Sequence, residues 1–499
     1  VMDPIASEID RAAGAFRVRV SGEQQSSVDD ELERLGEAYI SAASSVESLA
    51  PRFRGGVPDH VQALFEEKII AASAQRLRDR ATGLTESRGQ WTPEDIGREY
   101  QRLAATFRVH AEAFERKRYS NLSHEPNKAM NLNAYISLMG GRWREESTPD
   151  GTLLVRDAHE GQDVADAEYV VTLDADSVIV PQYLATLVGL MERPEHARLA
   201  VAQTPYSAVP GSPGRLERIA GATTDIQYVV HQGFTHHHAT YWVGANAVIR
   251  KAALEDIAER VPERGFQVTR YIHDRTVIED TESSVDLLAR GWSLHNHPRR
   301  LSYSATPPDF GSLVVQRQRW ANGGLIILPK LLRHLWTRKR ASVGWAVDSL
   351  IHTHYLVSIA ATNVALLFLL LVPFSADYMS VWLPLTAVGY FVLYARDLSQ
   401  QGYRYRDLPS VYALNLVLLP VNLAGVAKSI EQGVRRSKIP FARTPKVDGR
   451  TMAPARYLVG AAGAPLALVG RSVLRLLRGS MDTGLVRDRR PVCSSRALC

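Results

Sequence analysis

The fold is indicated by residues 168–176, which read Glu168-Tyr169-Val170-Val171-Thr172-Leu173-Asp174-Ala175-Asp176. The apolar run is rich in β-branched residues and predicts a buried strand. Two aspartates follow at once, and in open α/β sheets the carboxyl ends of the strands form the ligand crevice. Two carboxylates one residue apart can share a divalent cation, although Asp also favours turns and helix N-caps. The stretch therefore predicts a sheet with a candidate metal site at Asp174 and Asp176.

Short apolar strands and amphipathic helices alternate from about residue 119 to residue 330. This alternation predicts an α/β fold with a mainly parallel sheet. A helix is expected over Tyr183–Met191, and further strand-and-turn units are expected at Leu199–Gln203 and at 241–250.

Residues 1–118 differ from this region because they are charged, Ala-rich and mostly helical in pattern. Within 93–117, apolar residues recur at helical spacing, namely at Ile96, Tyr100, Leu103 and Phe107. No pattern typical of catalysis is visible there. We expect a helical segment that serves in packing or in contact with a partner.

Three uncharged apolar runs follow the α/β region, at 355–374, 378–395 and 408–427. Each is long enough to cross a hydrocarbon core of roughly 30 Å, and the alternative is a set of buried helices in a soluble domain. Lysines and arginines between 330 and 340 predict that the catalytic region lies in the cytoplasm. Pro420 favours a kinked or partly re-entrant third run, so the number of crossings stays open. We predict a multi-pass protein of the cell membrane.

Composition limits the classes of partner and of metal site. The formal net charge of +6 over 499 residues fits attraction to anionic membrane lipid better than a nucleic-acid surface. We therefore expect membrane lipid, and no nucleic acid, among the partners. The two cysteines, Cys493 and Cys499, lie together near the C-terminus, so this chain offers no disulfide framework and no Cys-rich zinc site.

Two further motifs carry residue types suited to group transfer. Glu279 and Asp280 precede a helical pattern, where a carboxylate acts either as a cap or as a general base. Residues 316–320 read Gln316-Arg317-Gln318-Arg319-Trp320. An Arg can bind phosphate oxygens in a bidentate manner, and an indole can stack on the apolar face of a sugar. The alternative is an amphipathic helix at the lipid interface.

Together these motifs resemble the membrane-bound family 2 glycosyltransferases, of the cellulose synthase and hyaluronan synthase type. The resemblance covers roughly residues 119–446. It rests on Lys128-Ala129-Met130-Asn131-Leu132-Asn133, Leu173-Asp174-Ala175-Asp176, Gln203-Thr204-Pro205, Trp242-Val243-Gly244-Ala245-Asn246-Ala247, Ile278-Glu279-Asp280, the Gln-x-x-Arg-Trp residues Gln316, Arg319 and Trp320, and a gating-loop-like stretch, Phe441-Ala442-Arg443-Thr444-Pro445-Lys446.

The resemblance implies a GT-A-like catalytic domain that transfers a sugar with inversion from a nucleotide-diphosphate donor. Asp280, beside Glu279, would deprotonate the acceptor hydroxyl, and Asp174 and Asp176 would hold Mg²⁺ or Mn²⁺. The residues expected to bind the donor and its diphosphate are Lys128, Asn131, Asn133, Gln316 and Arg319. Those expected at the acceptor are Trp320, Trp242 and Gly244.

The chain departs from the family pattern at three places. Met130 stands where the family usually has Gly, and Ile278 stands where it has Thr. The usual opening strand, with its acidic nucleotide-binding turn, is not evident in residues 1–118. Either that strand precedes Val1, or an atypical strand such as residues 16–20 replaces it.

The sequence therefore predicts a membrane hexosyltransferase that extends a polysaccharide, with a UDP-sugar favoured as donor and a glycan as acceptor. Single-sugar transfer to a lipid or other membrane acceptor, and a non-catalytic glycosyltransferase-like subunit, are the alternatives. The predicted segments are a helical N-terminal segment at 1–118 (alternatively the incomplete start of the catalytic domain), a GT-A-like domain at 119–340, a region of transmembrane helices at 341–430, and a cytosolic loop with a basic amphipathic tail at 431–499.

Overall fold

The computed structural model describes residues 2–21, 26–53, 59–87, 89–244, 246–337, 342–371, 382–435, 450–457 and 459. The chain divides into two compact units. The first comprises Val1–Asp274 with Glu279–Thr306, and the second comprises Arg275–Ile278 with Pro307–Cys499. The N-terminal helices belong to the same unit as the strands.

The first unit begins with a bundle of helices. They are α1 (Asp3–Ser21), α2 (Val28–Glu47), α3 (His60–Phe65), α4 (Ala72–Glu86) and α5 (Pro93–Phe107), with a π-helical stretch at Glu66–Ala71 between α3 and α4. Helix α2 packs on α4, and α1 packs on α5. A capping box at Thr92 and Asp95 starts α5, and its apolar face is buried in the bundle core. The helical expectation for this segment matches the described residues.

The alternative of an opening strand at residues 16–20 is wrong, because these residues lie in α1. Phe16 is buried, and its ring centroid lies 5.6 Å from that of Tyr100 in the bundle core. Across the described parts of 2–118, no residue is in a β-strand. Burial of one apolar helix face against α5 explains why this segment is helical.

The rest of the first unit is built from strands and shorter helices. The strands are β1 (Gly141–Thr148), β2 (Gly151–Arg156), β3 (Gln162–Val164), β4 (Tyr169–Thr172), β5 (Ser177–Ile179), β6 (Leu199–Gln203), β7 (Ser207–Ala208), β8 (Ala247–Arg250), β9 (Glu259–Glu263), β10 (Phe266–Arg270), β11 (Ser293–Asn296) and β12 (Ser302–Ser304). The helices are α6 (Lys128–Ile136), α7 (Tyr183–Met191), α8 (Arg215–His236), α9 (Lys251–Asp256) and α10 (Glu279–Ala289).

The central sheet has the order β11-β6-β8-β4. Strand β11 pairs with β6 in parallel, whereas β8 is antiparallel to both β6 and β4. Residues of β6 and β8 are almost completely buried, and apolar clusters fill the spaces beneath α6, α7, α9 and α10. The carboxyl ends of β4, β6 and β11 therefore meet the loop that leads into β8 at one edge of the sheet.

The expectation of a mainly parallel sheet is wrong. The central sheet is mixed, and the sheets β2-β1-β3 and β10-β9 are antiparallel. In the sheet β5-β12-β7, strand β12 is antiparallel to β5 and parallel to β7. A strand that is buried on both faces reads as a continuous apolar run whichever way it points. For this reason the apolar run at β8 does not indicate whether the strand is parallel or antiparallel to its neighbours.

The second unit is helical, with α11 (Phe310–Thr337), α12 (Val343–Leu371), α13 (Trp382–Gln400), α14 (Leu408–Val417) and α15 (Leu419–Arg435). Helix α11 packs on α12 and α15. Small residues allow this close approach: a Cβ at Gly324 would lie 2.3 Å from the Leu356 carbonyl oxygen, and one at Gly425 would lie 2.7 Å from that of Gln318.

One helix in the described part of the chain is long and apolar enough to cross a membrane, at Val343–Phe368 with a mean hydropathy of 1.4. A pair of helices, Tyr405–Val417 and Leu419–Arg435, meets the same criterion only if the two are taken together, and they are bent by 45° at the break. The expected run at 378–395 lies partly outside the described residues, as does most of the predicted loop and tail at 431–499.

Candidate active site

The loop that follows β4 carries the two aspartates of the predicted metal site. Asp174 and Asp176 are both partly exposed, and the Ser177 N–H donates to the Asp174 carbonyl oxygen at 3.0 Å. Lys128 places its Nζ 2.5 Å from Asp174 Oδ1. The structure thus brings together one predicted metal ligand and one predicted donor-binding residue.

The position of Lys128 is set by the start of α6. The side chain of Asn127 caps the helix by accepting from the Met130 N–H at 2.8 Å, and it donates to Asp274 Oδ2 at 2.8 Å. Lys128 is therefore the first helical residue, next to the loop that carries Asp174. Asn131 is exposed on α6, and its Oδ1 accepts from Arg116 Nε at 3.3 Å.

Asn133 has a different role from the predicted contact with the donor. Its side chain is fully buried, and its Nδ2 donates to the Ile272 carbonyl oxygen at 2.8 Å. Its Oδ1 accepts from the backbone N–H groups of Tyr271 and Ile272 at 3.1 and 2.8 Å. The amide is thus fully used in joining α6 to the 271–272 backbone, so Asn133 supports the site from within the core.

Asp280 lies in the first turn of α10, where the helix dipole favours a carboxylate. Its Oδ1 accepts from the Thr281 N–H at 2.7 Å, and its Oδ2 accepts from the Gly244 N–H at 2.5 Å. Gly244 has a φ of +80°, a backbone conformation that favours glycine. The structure therefore brings the predicted base and the predicted acceptor-side glycine into direct contact. Glu279, the first residue of α10, is partly exposed beside them.

Trp242 was expected to border the acceptor with its indole, and the structure corrects this expectation. The side chain is 2% exposed and packs in the apolar core beneath α10. Its backbone N–H donates to Ser284 Oγ at 2.8 Å. An aromatic ring can fill a core as well as stack on a sugar, and the motif alone does not distinguish the two.

Gln316, Arg319 and Trp320 lie on α11 in the second unit, and all three are partly exposed. The guanidinium carbon of Arg317 lies 4.5 Å from the centroid of the Trp320 ring, so one face of the indole carries a cation–π contact. Gln318 Nε2 donates to the Tyr457 hydroxyl at 2.8 Å. The gating-loop-like stretch at 441–446 lies outside the described residues.

Comparison with known proteins identifies the family that part of this chain matches. Residues 169–394 match the family described as "Glycosyl transferase family group 2". The chain carries a family 2 glycosyltransferase domain. The match begins at the first residue of β4 and includes the aspartates, the Gly244–Asp280 contact and the Gln-x-x-Arg-Trp residues.

Curated relatives of this glycosyltransferase domain include a cellulose synthase subunit and a probable mannosyltransferase. The cellulose synthase catalytic subunit [UDP-forming] of Komagataeibacter sucrofermentans is 24% identical over 271 residues, which is 51% of this chain and 33% of that protein. The probable glucomannan 4-beta-mannosyltransferase 9 of Oryza sativa subsp. japonica is 25% identical over 197 residues, 39% of this chain and 34% of that protein. The chain thus spans about a third of the length of these relatives.

Among solved structures, a mannosyltransferase from Pyrobaculum calidifontis in complex with GDP-Man and Mn²⁺ is 16% identical, with a TM-score of 0.33. The match covers 80% of this chain and 99% of that one.

Several residues that build the glycosyltransferase site had no role assigned from the sequence. The buried His273 places its Nδ1 2.6 Å from Asp286 Oδ2, and thereby ties the 271–274 segment to α10. Gln203 was noted only as part of a motif, yet it is bonded to the 241–244 segment. The cap at Asn127 could have been found, since Asn before a helical pattern is a known start signal. The bonds of Gln203 to the 241–244 segment join residues 38 and 40 positions apart, so no local pattern predicted them.

The metal expectation can be tested against the donor set. Among the described residues, no group of three or more His, Cys, Asp or Glu could hold a metal ion. Asp174 and Asp176 are oxygen donors of the kind that Mg²⁺ and Mn²⁺ prefer. Two carboxylates do not fill a coordination shell, so a cation held by them would need further ligands.

Proposed function

We propose that this chain transfers a hexose, with inversion, from a nucleoside-diphosphate sugar to a hydroxyl group of a growing glycan. The observation that carries the proposal is the placement of Asp280. Its carboxylate is fixed by the Gly244 N–H and by the first turn of α10, in the same unit as the Lys128–Asp174 pair. A base and a cationic diphosphate site are the two functions that an inverting transfer requires.

In the proposed step, the acceptor hydroxyl oxygen forms a bond to the anomeric carbon of the donor sugar. The bond from that carbon to the diphosphate oxygen breaks, and the nucleoside diphosphate leaves with the electron pair. The hydroxyl proton passes to the Asp280 carboxylate. Two N–H donors on that carboxylate fix its orientation before the acceptor arrives.

The diphosphate would be held at the loop after β4. Asp174 and Asp176 would hold Mg²⁺ or Mn²⁺, which supplies positive charge to the leaving diphosphate. Lys128 would bind a diphosphate oxygen with its ammonium group, and Asn131 lies exposed on the same helix. Gln316, Arg319 and Trp320 remain proposed contacts of the diphosphate and the acceptor.

We propose a membrane location and a polymeric product because of two supporting observations. Helix α12 has a length and hydropathy suited to a bilayer. The curated relatives include a protein named for cellulose synthesis and one named for glucomannan. The first of these names includes UDP and the second a mannosyl group, so UDP-sugars and mannose donors are the first to test, with the UDP-sugar favoured.

The test is release of nucleoside diphosphate by the detergent-purified chain, with a panel of UDP- and GDP-sugars. We expect release with one donor, its loss in EDTA, and its return with Mn²⁺ or Mg²⁺. The Asp280→Asn variant should lose activity by about 10³-fold, the range for a general base. Asp256→Asn is the matched control, because Asp256 accepts from Trp292 Nε1 and lies outside the site. Equal rates for wild type and Asp280→Asn would contradict the proposal.

A second candidate is a subunit that has the fold but does not bind a donor, and it is motivated by the helical structure of residues 16–20, where a strand was the alternative. Calorimetry with UDP and Mn²⁺ separates the two candidates, since the subunit would show no metal-dependent binding.

Product length separates polymer extension from single transfer: a product lengthened by one sugar only would rule out extension.

A further inference from the structure

We infer that Gln203 is a positioning residue for Asp280, acting through the loop of residues 241–244. The inference rests on the proposed function, because Asp280 is taken as the base. Gln203 itself is 1% exposed at the last position of β6, so it touches no substrate. It acts by holding the backbone whose Gly244 N–H donates to the Asp280 carboxylate.

The Gln203 amide bridges both sides of Trp242 in this loop. Its Nε2 donates to the Tyr241 carbonyl oxygen at 2.7 Å, and its Oε1 accepts from the Val243 N–H at 3.0 Å. One side chain therefore satisfies a backbone acceptor and a backbone donor two residues apart. Only a primary amide offers both groups at this reach, so neither Glu nor Met can replace it.

The orientation of the Gln203 amide is fixed from the other side by Asn296, the last residue of β11. Gln203 Nε2 also donates to Asn296 Oδ1. Asn296 Nδ2 in turn donates to the His231 carbonyl oxygen on α8 at 2.9 Å. The partners fix which atom of each amide is the oxygen and which is the nitrogen. The hydrogen bonds therefore run in one direction, with Gln203 donating to Asn296 and Asn296 donating to His231. The carboxyl ends of β6 and β11 are thus connected to the 241–244 loop.

The remaining polar groups of the loop are bonded to two helices. Ser284 Oγ on α10 accepts from the Trp242 N–H at 2.8 Å, and the Tyr228 hydroxyl on α8 donates to the Val243 carbonyl oxygen at 3.1 Å. The Gly244 N–H is the group of this loop that donates to the Asp280 side chain. Loss of the Gln203 bonds would free the middle of the loop and let that N–H move away from the carboxylate.

The kinetic test uses Gln203→Met, which keeps the length of the side chain and removes its hydrogen bonds. We expect kcat to fall about ten- to a hundredfold, as for a small misplacement of a reacting group, with donor affinity changed less than about twofold. In the Asp280→Asn background the same substitution should cause no further loss, because both act on one step. Wild-type kcat in Gln203→Met, or an equal loss in both backgrounds, would overturn the inference.

The matched control is Ser302→Ala. Ser302 is equally buried near the end of β6, and among the described residues its hydroxyl bonds to Thr204 Oγ1 at 2.9 Å and to the Pro205 carbonyl oxygen at 3.4 Å rather than to the 241–244 loop. We expect it to leave kcat within about twofold of wild type, since a buried hydroxyl pair contributes mainly to stability.

A second readout does not depend on activity. Amide hydrogen exchange of the peptide covering 241–244 should be faster in Gln203→Met than in wild type, and unchanged in Ser302→Ala. If wild type acts on no donor, the proposed function fails, whereas the exchange result still decides whether Gln203 holds the loop. Unchanged exchange in Gln203→Met would overturn the inference even in an active enzyme.

Discussion

At the residue scale, the Lys128–Asp174 pair places the ammonium group and a metal ion in competition for one carboxylate. With Lys128 Nζ 2.5 Å from Asp174 Oδ1, binding of a cation alone must displace an existing partner. A diphosphate offers the ammonium group a new partner and removes this cost. The cation and the diphosphate should therefore bind together rather than separately.

The prediction concerns Lys128→Met. The Lys128→Met variant should bind Mn²⁺ alone more tightly than wild type does, because Asp174 is no longer paired with an ammonium group. The same variant should bind UDP in the presence of Mn²⁺ about tenfold more weakly, since one phosphate contact is lost. Titration calorimetry measures both. Lys251→Met is the control, because Lys251 forms a similar pair with Asp166 at 2.5 Å. Weaker Mn²⁺ binding in Lys128→Met would contradict the competition.

Alanine substitutions at Gly244 and Gly265 separate the effect of backbone strain on stability from the effect of the Gly244 N–H on activity. An alanine there would adopt an unfavourable positive φ, and its Cβ would lie 3.2 Å from Tyr206 Cδ2. Gly265 has a similar φ of +86°, but a Cβ there would have nothing within 4 Å. Both Gly→Ala variants should lose about 1 kcal/mol of stability from backbone strain.

Only Gly244→Ala should lose activity, by about tenfold or more, because it shifts the N–H that donates to Asp280. Thermal denaturation and donor turnover, measured on both variants, give the comparison. Equal activity in Gly244→Ala and Gly265→Ala would show that this N–H does not matter for the reaction.

At the element scale, the sequence predicted the strands and helices that have strong local patterns. Helix Tyr183–Met191 and strand Leu199–Gln203 have the bounds that were expected. Helix α5 ends at Phe107 rather than continuing toward 117, because Arg108 is extended, with φ −80° and ψ 102°. Strand direction at β8 was not predictable, since neighbours in a sheet are chosen by tertiary packing and not by local propensity.

The start of α11 gives a prediction about packing within the second unit. A Cβ at Gly311 would lie 2.1 Å from the Thr451 carbonyl oxygen. Thr451 Oγ1 accepts from Ser312 Oγ at 3.0 Å, and the Thr451 N–H donates to Asp309 Oδ2 at 3.2 Å. Gly311→Ala should therefore displace the 450–457 segment and make its amides exchange faster, measured by mass spectrometry.

The control for this change is Gly433→Ala on α15, where a Cβ meets nothing within 4 Å. It should leave the exchange of 450–457 unchanged and stabilise its helix by up to about 1 kcal/mol. If Gly311→Ala leaves 450–457 as protected as in wild type, the close contact does not hold that segment.

At the scale of the whole molecule, the sequence predicted which residue types form the site but not how they are held. The aspartates and Asp280 follow local rules for strand ends and helix starts. The bonds of Gln203 to Tyr241 and of Asn133 to Ile272 join residues 38 and 139 positions apart. Such contacts depend on the packed fold, so they could not be derived from local patterns.

Acid stability gives a prediction for the molecule as a whole. Burial, helped by the charges of His297, His196 and Arg193, lowers the pKa of His295 from 6.5 to about 4. The neutral ring therefore contributes stability above the unfolded value, and this contribution is lost as pH falls from about 6.5 toward 4.

We expect the Tm of wild type to fall between about pH 7 and pH 5, and His295→Gln to fall by a few degrees less. His110→Gln serves as the control, because the side chain of His110 is 84% exposed. Parallel Tm curves for wild type and His295→Gln would contradict this assignment.

The reversed direction of β8 has a consequence for how this molecule can change. The aspartate loop leaves the end of a strand, whereas the 241–244 loop leads into the start of one, and the long helix α8 separates the two in the chain. If the aspartate loop selects the donor and the 241–244 loop selects the acceptor, the two choices are encoded by separate segments of the gene. Recombination between relatives could then exchange the segment with the aspartate loop, while the hydrogen bonds of Gln203 and Asn296 keep the 241–244 loop in place.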